Sequence, residues 1–145
     1  MIIVELQTEI EAPPETVFDL LADHTKFTLW DPHMIEARLY TEGPIIKGSK
    51  GITVGQFGGR RIENEIYYDA YDRPKFVSGG TISGPVKAKN TSEFIPTDTG
   101  TKINWRMEVE FKGFMRLFEP FMKSKLINQR KETMEALKNY IAKSK

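Results

Sequence analysis

Apolar and polar residues alternate from position 2 to position 11. Val4, Leu6, Thr8 and Ile10 fall on one side; Glu5, Gln7, Glu9 and Glu11 fall on the other. A period of two with one wet side predicts a β-strand. The run Ala12-Pro13-Pro14-Glu15 ends it, and a proline at position 14 suits the first turn of a helix. Val17, Leu20 and Leu21, with Phe18 beside them, predict that helix over about 14–22. A second short helix or turn, around 24–30, has to stop at Trp30-Asp31-Pro32, because a proline drives the residue before it to extended geometry. From 35 to 111 the period is two almost throughout. Ile35, Ala37 and Leu39 oppose Glu36, Arg38 and Tyr40; Ile62, Asn64, Ile66 and Tyr68 oppose Glu63, Glu65, Tyr67 and Asp69. Ile103, Trp105, Met107, Val109 and Phe111 share one face of the last strand, 101–111. Turn signals at Gly43-Pro44, Gly58-Gly59, Asp72-Arg73-Pro74 and 96–100 mark hairpins in this stretch, which reads as six strands.

Beyond Gly113 the period changes. Ile127, Arg130, Met134, Leu137 and Ile141 step by 3, 4, 3 and 4, the spacing of an amphipathic helix. Pro120 is the only proline after Gly113; it either kinks that helix or parts a first turn at 114–119 from a main helix at about 120–143. A run of hairpins leaves one face of a sheet bare. A helix of about 24 residues, roughly 35 Å long at 1.5 Å per residue, is the only element able to cover it. The expected fold class is therefore α+β: a curved antiparallel sheet of about seven strands around a long C-terminal helix, with two short helices after strand one. No linker or repeat interrupts the pattern, so residues 1–145 read as a single domain.

Composition narrows the chemistry. The chain has no cysteine, which removes disulfides, thiol nucleophiles and cysteine-ligated metals. With 21 basic and 20 acidic residues it lacks the basic excess of a nucleic-acid binder. No stretch approaches the roughly 18 apolar residues of a membrane span. The N-terminal run lacks the basic start of a signal peptide, so a cytoplasmic address is expected. Near neutrality hides an asymmetry: residues 1–42 hold nine acids and two bases, whereas 112–145 hold nine bases and three acids. On the plainer reading the two ends soften each other's fields in the fold. On the sharper one the basic end faces an anionic partner or lipid headgroups. The same end is crowded with Phe111, Phe114, Met115, Leu117, Phe118, Phe121, Met122, Leu126 and Ile127, more than one helix side can bury. Core packing is the first reading of that run, and membrane contact the lesser one.

Candidate catalytic groups read mostly as solvated faces. Glu9/Glu11, Glu63/Glu65 and Glu108/Glu110 are each spaced i, i+2 in a strand, which turns both carboxylates away from the core. His24 and His33 flank the Trp30-Asp31-Pro32 bend in what reads as exposed loop, without metal-ligand spacing. No nucleophile motif surrounds either one. Gly55, Gly58 and Gly59 make no phosphate loop, since neither Gly-Lys-Ser/Thr nor a helix follows them. No catalytic residue, no metal and no cofactor is therefore expected. Polar residues on an inward face are more informative, because a buried amide or hydroxyl without a partner costs about 1–3 kcal/mol. Asn64 and Tyr68 share parity with Ile62 and Ile66; Asn90 and Ser92 share parity with Val86, Ala88 and Phe94.

The order of elements, with Ile10-Glu-Ala-Pro-Pro-Glu-Thr-Val-Phe-Asp-Leu-Leu-Ala-Asp, Trp30-Asp-Pro and Gly43-Pro-Ile-Ile-Lys-Gly-Ser, resembles the START-like (SRPBCC) superfamily over essentially the whole chain. It is most similar to the polyketide cyclase/dehydrase-type proteins. What the resemblance implies is the helix-grip fold and a hydrophobic cavity between sheet and helix, since its motifs set geometry rather than a reaction. Set in that cavity, Asn64, Tyr68, Phe76, Asn90, Ser92, Trp105 and Met107 would line the sheet side, and Phe118 and Met122 the helix side. The function expected is binding or transport of a small apolar or aromatic molecule. The alternatives are a polyketide cyclase/dehydratase-type enzyme or a protein-partner role such as chaperone co-activation. The sequence leaves the oligomeric state open.

Overall fold

The computed structural model describes residues 1–57, 59–83 and 86–144. Its strands are β1 (Ile2–Ile10), β2 (Met34–Leu39), β3 (Lys50–Phe57), β4 (Arg60–Asp72), β5 (Phe76–Ser83), β6 (Val86–Pro96) and β7 (Thr101–Phe111). All seven belong to one antiparallel sheet in the order β1-β7-β6-β5-β4-β3-β2. Helix α1 (Pro14–Ala22) starts with Pro14 in its first turn and buries Val17, Phe18, Leu21 and Ala22. A single 3-10 turn, His24–Lys26, is capped by the Asp23 carboxylate and leads into the short α2, Phe27–Trp30. Asp31 is extended, at ψ 112°, as the following proline requires. After β7 come a 3-10 helix, Gly113–Phe118, and the long α3, Glu119–Lys143. Pro120 sits in the first turn of α3, where its missing N–H costs nothing, so it divides two helices rather than kinking one.

Parity sets what faces inward. In β7 the odd residues Ile103, Trp105, Met107, Val109 and Phe111 are all buried. Two apolar clusters pack between this face and α3. One joins Met134, Leu137 and Ile141 to Ile10, Ile103, Trp105, Tyr68 and the buried side of α1. The other joins Met122, Leu126 and Ile127 to Ile2, Val4, Met107, Val109 and Phe111. The sheet thus holds α3 against its inner face, a helix-grip arrangement. In β2 the register slips between Met34 and Glu36. Strict alternation puts Ile35 inside with Ala37 and Leu39; the slip leaves it 49% exposed instead. Gly58 of the expected Gly58-Gly59 turn lies outside the described residues; Gly59 has φ +79°. No helix of the described residues is long and apolar enough to cross a membrane.

Candidate functional site

The register brings the inward polar residues into rows across the sheet. Asn90 stands opposite Met107 on one side and Gly79 on the other, and Gly79 in turn stands opposite Tyr68. Gly79 is required between Tyr68 and Asn90, because a Cβ at that point would collide with the Tyr67 carbonyl oxygen. One row on, Ser92 stands opposite Trp105 and Val77. The Trp105 indole N–H donates to Asn90 Oδ1 at 3.2 Å, tying the two rows together. Asn64 lies opposite Thr53, nearer the other end of β4. Its Oδ1 is buried and has no hydrogen-bond partner.

Arg130 supplies the charge. It lies on α3 between Ile127 of one apolar cluster and Met134 of the other, so it interrupts the seam where they meet. Its guanidinium stacks over the Trp105 ring at 5.1 Å, and its Nε is buried without a partner. No hydrogen bond or ion pair of this side chain is present among the described residues. Burial pushes the guanidinium pKa down, and the charge of Asp31 raises it part of the way back. The side chain is only half-buried, and an arginine offers five N–H donors in a planar fork suited to a carboxylate or another planar oxygen acceptor. Arg130 was visible in the sequence as one member of the apolar 127–141 stripe, and a charge on such a stripe is the signal that could have marked it.

His24 lies elsewhere than the sequence reading put it. It is 2% exposed rather than in an open loop. Its Nε2 lies 2.9 Å from the Arg38 carbonyl; the carbonyl can only accept, so Nε2 carries the hydrogen. Its Nδ1 lies 2.7 Å from the Tyr68 hydroxyl oxygen. That hydroxyl also accepts the His24 backbone N–H at 3.1 Å, and its single hydrogen faces two acceptors, Nδ1 and the Ala22 carbonyl at 2.9 Å. Burial lowers the His24 pKa and pushes that of Tyr68 well above its ordinary value. The network pins the 22–24 segment to β2 and β4, and it occupies the Tyr68 hydroxyl completely.

The nine expected lining residues therefore divide. Asn64, Asn90, Ser92 and Trp105 lie on the inner face, and Tyr68 lies there with its hydroxyl engaged elsewhere. Met107 and Met122 pack in the β1–β7 cluster. Two placements are corrected. Phe76 pairs with Glu93 and Asp72 on the outer face, one residue out of phase with the inward Val77. Phe118 ends the 3-10 helix 48% exposed, because Gly113 turns that segment off the end of β7 and it buries no residue. On the outer face a hollow of about 510 Å³ is lined by Glu5, Gln7, Phe76, Thr91, Glu93, Asn104 and Arg106. Arg106 is paired there with Glu5 at 2.6 Å and Glu108 at 3.2 Å, which reads as a solvated charged face.

The fold has many known counterparts. A START superfamily protein of Mycobacterium smegmatis superposes with a TM-score of 0.83 at 16% identity, over 99% of each chain. The protein TTHA0849 of Thermus thermophilus gives 0.81 at 15% identity over 98% of each. Protein SA2116 of Staphylococcus aureus gives 0.77 at 14% identity over 99% of this chain and 94% of its own. Identity this low carries the fold and nothing finer. Among curated proteins none matches the sequence. The sequence itself matches one family model from residue 1 to residue 142, and the chain belongs to that family, described as polyketide cyclase/dehydrase and lipid transport.

Proposed function

We propose that the protein binds a small apolar or aromatic molecule between the sheet and α3, with an anionic or carbonyl end of that molecule held by Arg130. The observation that carries this reading is the half-buried Arg130 guanidinium, stacked on Trp105 with its Nε buried and without a hydrogen-bonded or ionic partner. The Asn90 amide beside Trp105 supports it, as does the family's connection with lipid transport. A ligand of this kind satisfies both ends of the site: apolar walls gain from burying its body, and the cation gains an acceptor.

Two dyes of one shape test it. The anionic 1-anilinonaphthalene-8-sulfonate and its uncharged counterpart N-phenyl-1-naphthylamine differ by the sulfonate alone. Both are expected to bind and to quench Trp105. Arg130→Met is expected to weaken the anionic dye about tenfold or more while changing the neutral one less than about twofold. The titration is run with Phe114, Leu117 and Phe121 replaced by serine, so that the exposed aromatic corner takes up no dye. Failure of both dyes to quench Trp105, or an equal loss of both in Arg130→Met, refutes the reading.

A further inference from the structure

The segment that leaves β7 presents its apolar side to solvent. Phe114, Leu117 and Phe121 are each 75% exposed and Phe118 is 48% exposed. Their spacing is i, i+3, i+4 and i+7, one continuous stripe along the 3-10 helix and the first turn of α3. The 3-10 helix Gly113–Phe118 buries no residue at all. Its direction is set by Gly113, whose φ of +62° turns the chain off the end of β7. A stripe of four large apolar side chains left bare is not required by the fold, since α3 already covers the sheet with Met122, Leu126, Ile127, Met134 and Leu137.

The charges beside the stripe identify what it meets. Lys112, Arg116, Lys123 and Lys125 are all exposed around it. The one acid in the segment, Glu119, is engaged by the Met1 ammonium at 3.1 Å and faces the Phe111 N–H. An apolar stripe with cations on its flanks and no free carboxylate fits the boundary layer of an anionic bilayer, where aromatic rings sit among acyl chains and lysines reach headgroup phosphates. A second copy docking through the same corner would set four cations against four. We infer that residues 112–125 form a peripheral docking surface for an anionic membrane, a role that stands on these exposed residues whatever occupies the interior.

The test is co-flotation with vesicles of phosphatidylcholine alone or of phosphatidylcholine with about one third phosphatidylserine, at low salt and at physiological salt. The protein is expected to float with the anionic vesicles at least about tenfold more strongly than with the neutral ones, and less at higher salt. Phe114→Ser/Leu117→Ser/Phe121→Ser and, separately, Lys112→Gln/Arg116→Gln/Lys123→Gln/Lys125→Gln are each expected to lose at least about tenfold in binding. Circular dichroism and thermal midpoints should stay unchanged, because these side chains are exposed. No flotation with either vesicle, flotation untouched by the serine variant, or a dimer in light scattering that the serine variant dissolves, each overturns the assignment.

Discussion

His24 and Gly51 constrain each other. A methyl group at Gly51 would lie within 2.7 Å of His24 Nε2 and closer still to the Arg38 carbonyl that accepts from it. Gly51→Ala is therefore expected to cost about 1–3 kcal/mol in urea denaturation, by breaking the contact that satisfies both groups. His24 also makes stability depend on pH. Its pKa is lowered from 6.5 by burial, against smaller opposing effects of the Arg38 carbonyl and Asp23. The unfolded chain then takes up the proton first, so stability is complete above about pH 6.5 and declines as pH falls towards the folded-state value. Denaturation curves from about pH 7.5 to 5.5 should show that decline, and His24→Gln should flatten it. Arg130 poses the opposite case. Removing a half-buried cation that has no partner should leave stability unchanged or raise it, so Arg130→Met is expected to melt at or above the wild-type temperature. A clear fall in its melting temperature would mean that the cation–π contact with Trp105 outweighs desolvation.

At the scale of elements, α3 carries the core. Leu137 is fully buried in the larger cluster, and its truncation leaves a void between α1, the sheet and α3. Leu137→Ala is expected to cost about 2–5 kcal/mol, measured by urea denaturation, and Leu137→Asp more. The 3.6 period of α3 and the alternation of β1, β4, β6 and β7 were legible because each of these elements has one face against the core and one in water. Local geometry hid the rest. The slip in β2 moved Ile35 outward, and the phase of β5 turned Phe76 away from the interior. Both depend on pairing with neighbouring strands, which a single strand's pattern does not encode. Pro120 left two readings open, and the bare 3-10 helix before it chose between them.

Across the whole molecule, the two apolar clusters share β7 and α3, so neither can open without disturbing the other. Unfolding is expected to be a single transition: Trp30, beside α1, and Trp105, against α3, should report the same urea midpoint as far-ultraviolet circular dichroism. Both tryptophans belong to the larger cluster, so a tryptophan midpoint apart from that of circular dichroism would show that this cluster melts separately from the rest of the fold. The charge asymmetry of the chain is partly spent within the fold, where Arg73 meets Asp19 at 2.7 Å and Arg106 meets Glu5 at 2.6 Å. Residues 112–125 hold four bases against the single acid Glu119, next to the exposed stripe. By itself the sequence determined the element order, the α+β class and the inward parity of Asn64, Tyr68, Asn90, Ser92 and Trp105, because periodicity and turn chemistry are local. Only the tertiary structure decided that Tyr68 is held by His24, that Arg130 lies unpaired over Trp105 and that Phe118 faces water. Partnership and burial are set by residues far away in the chain, and no local pattern can state them.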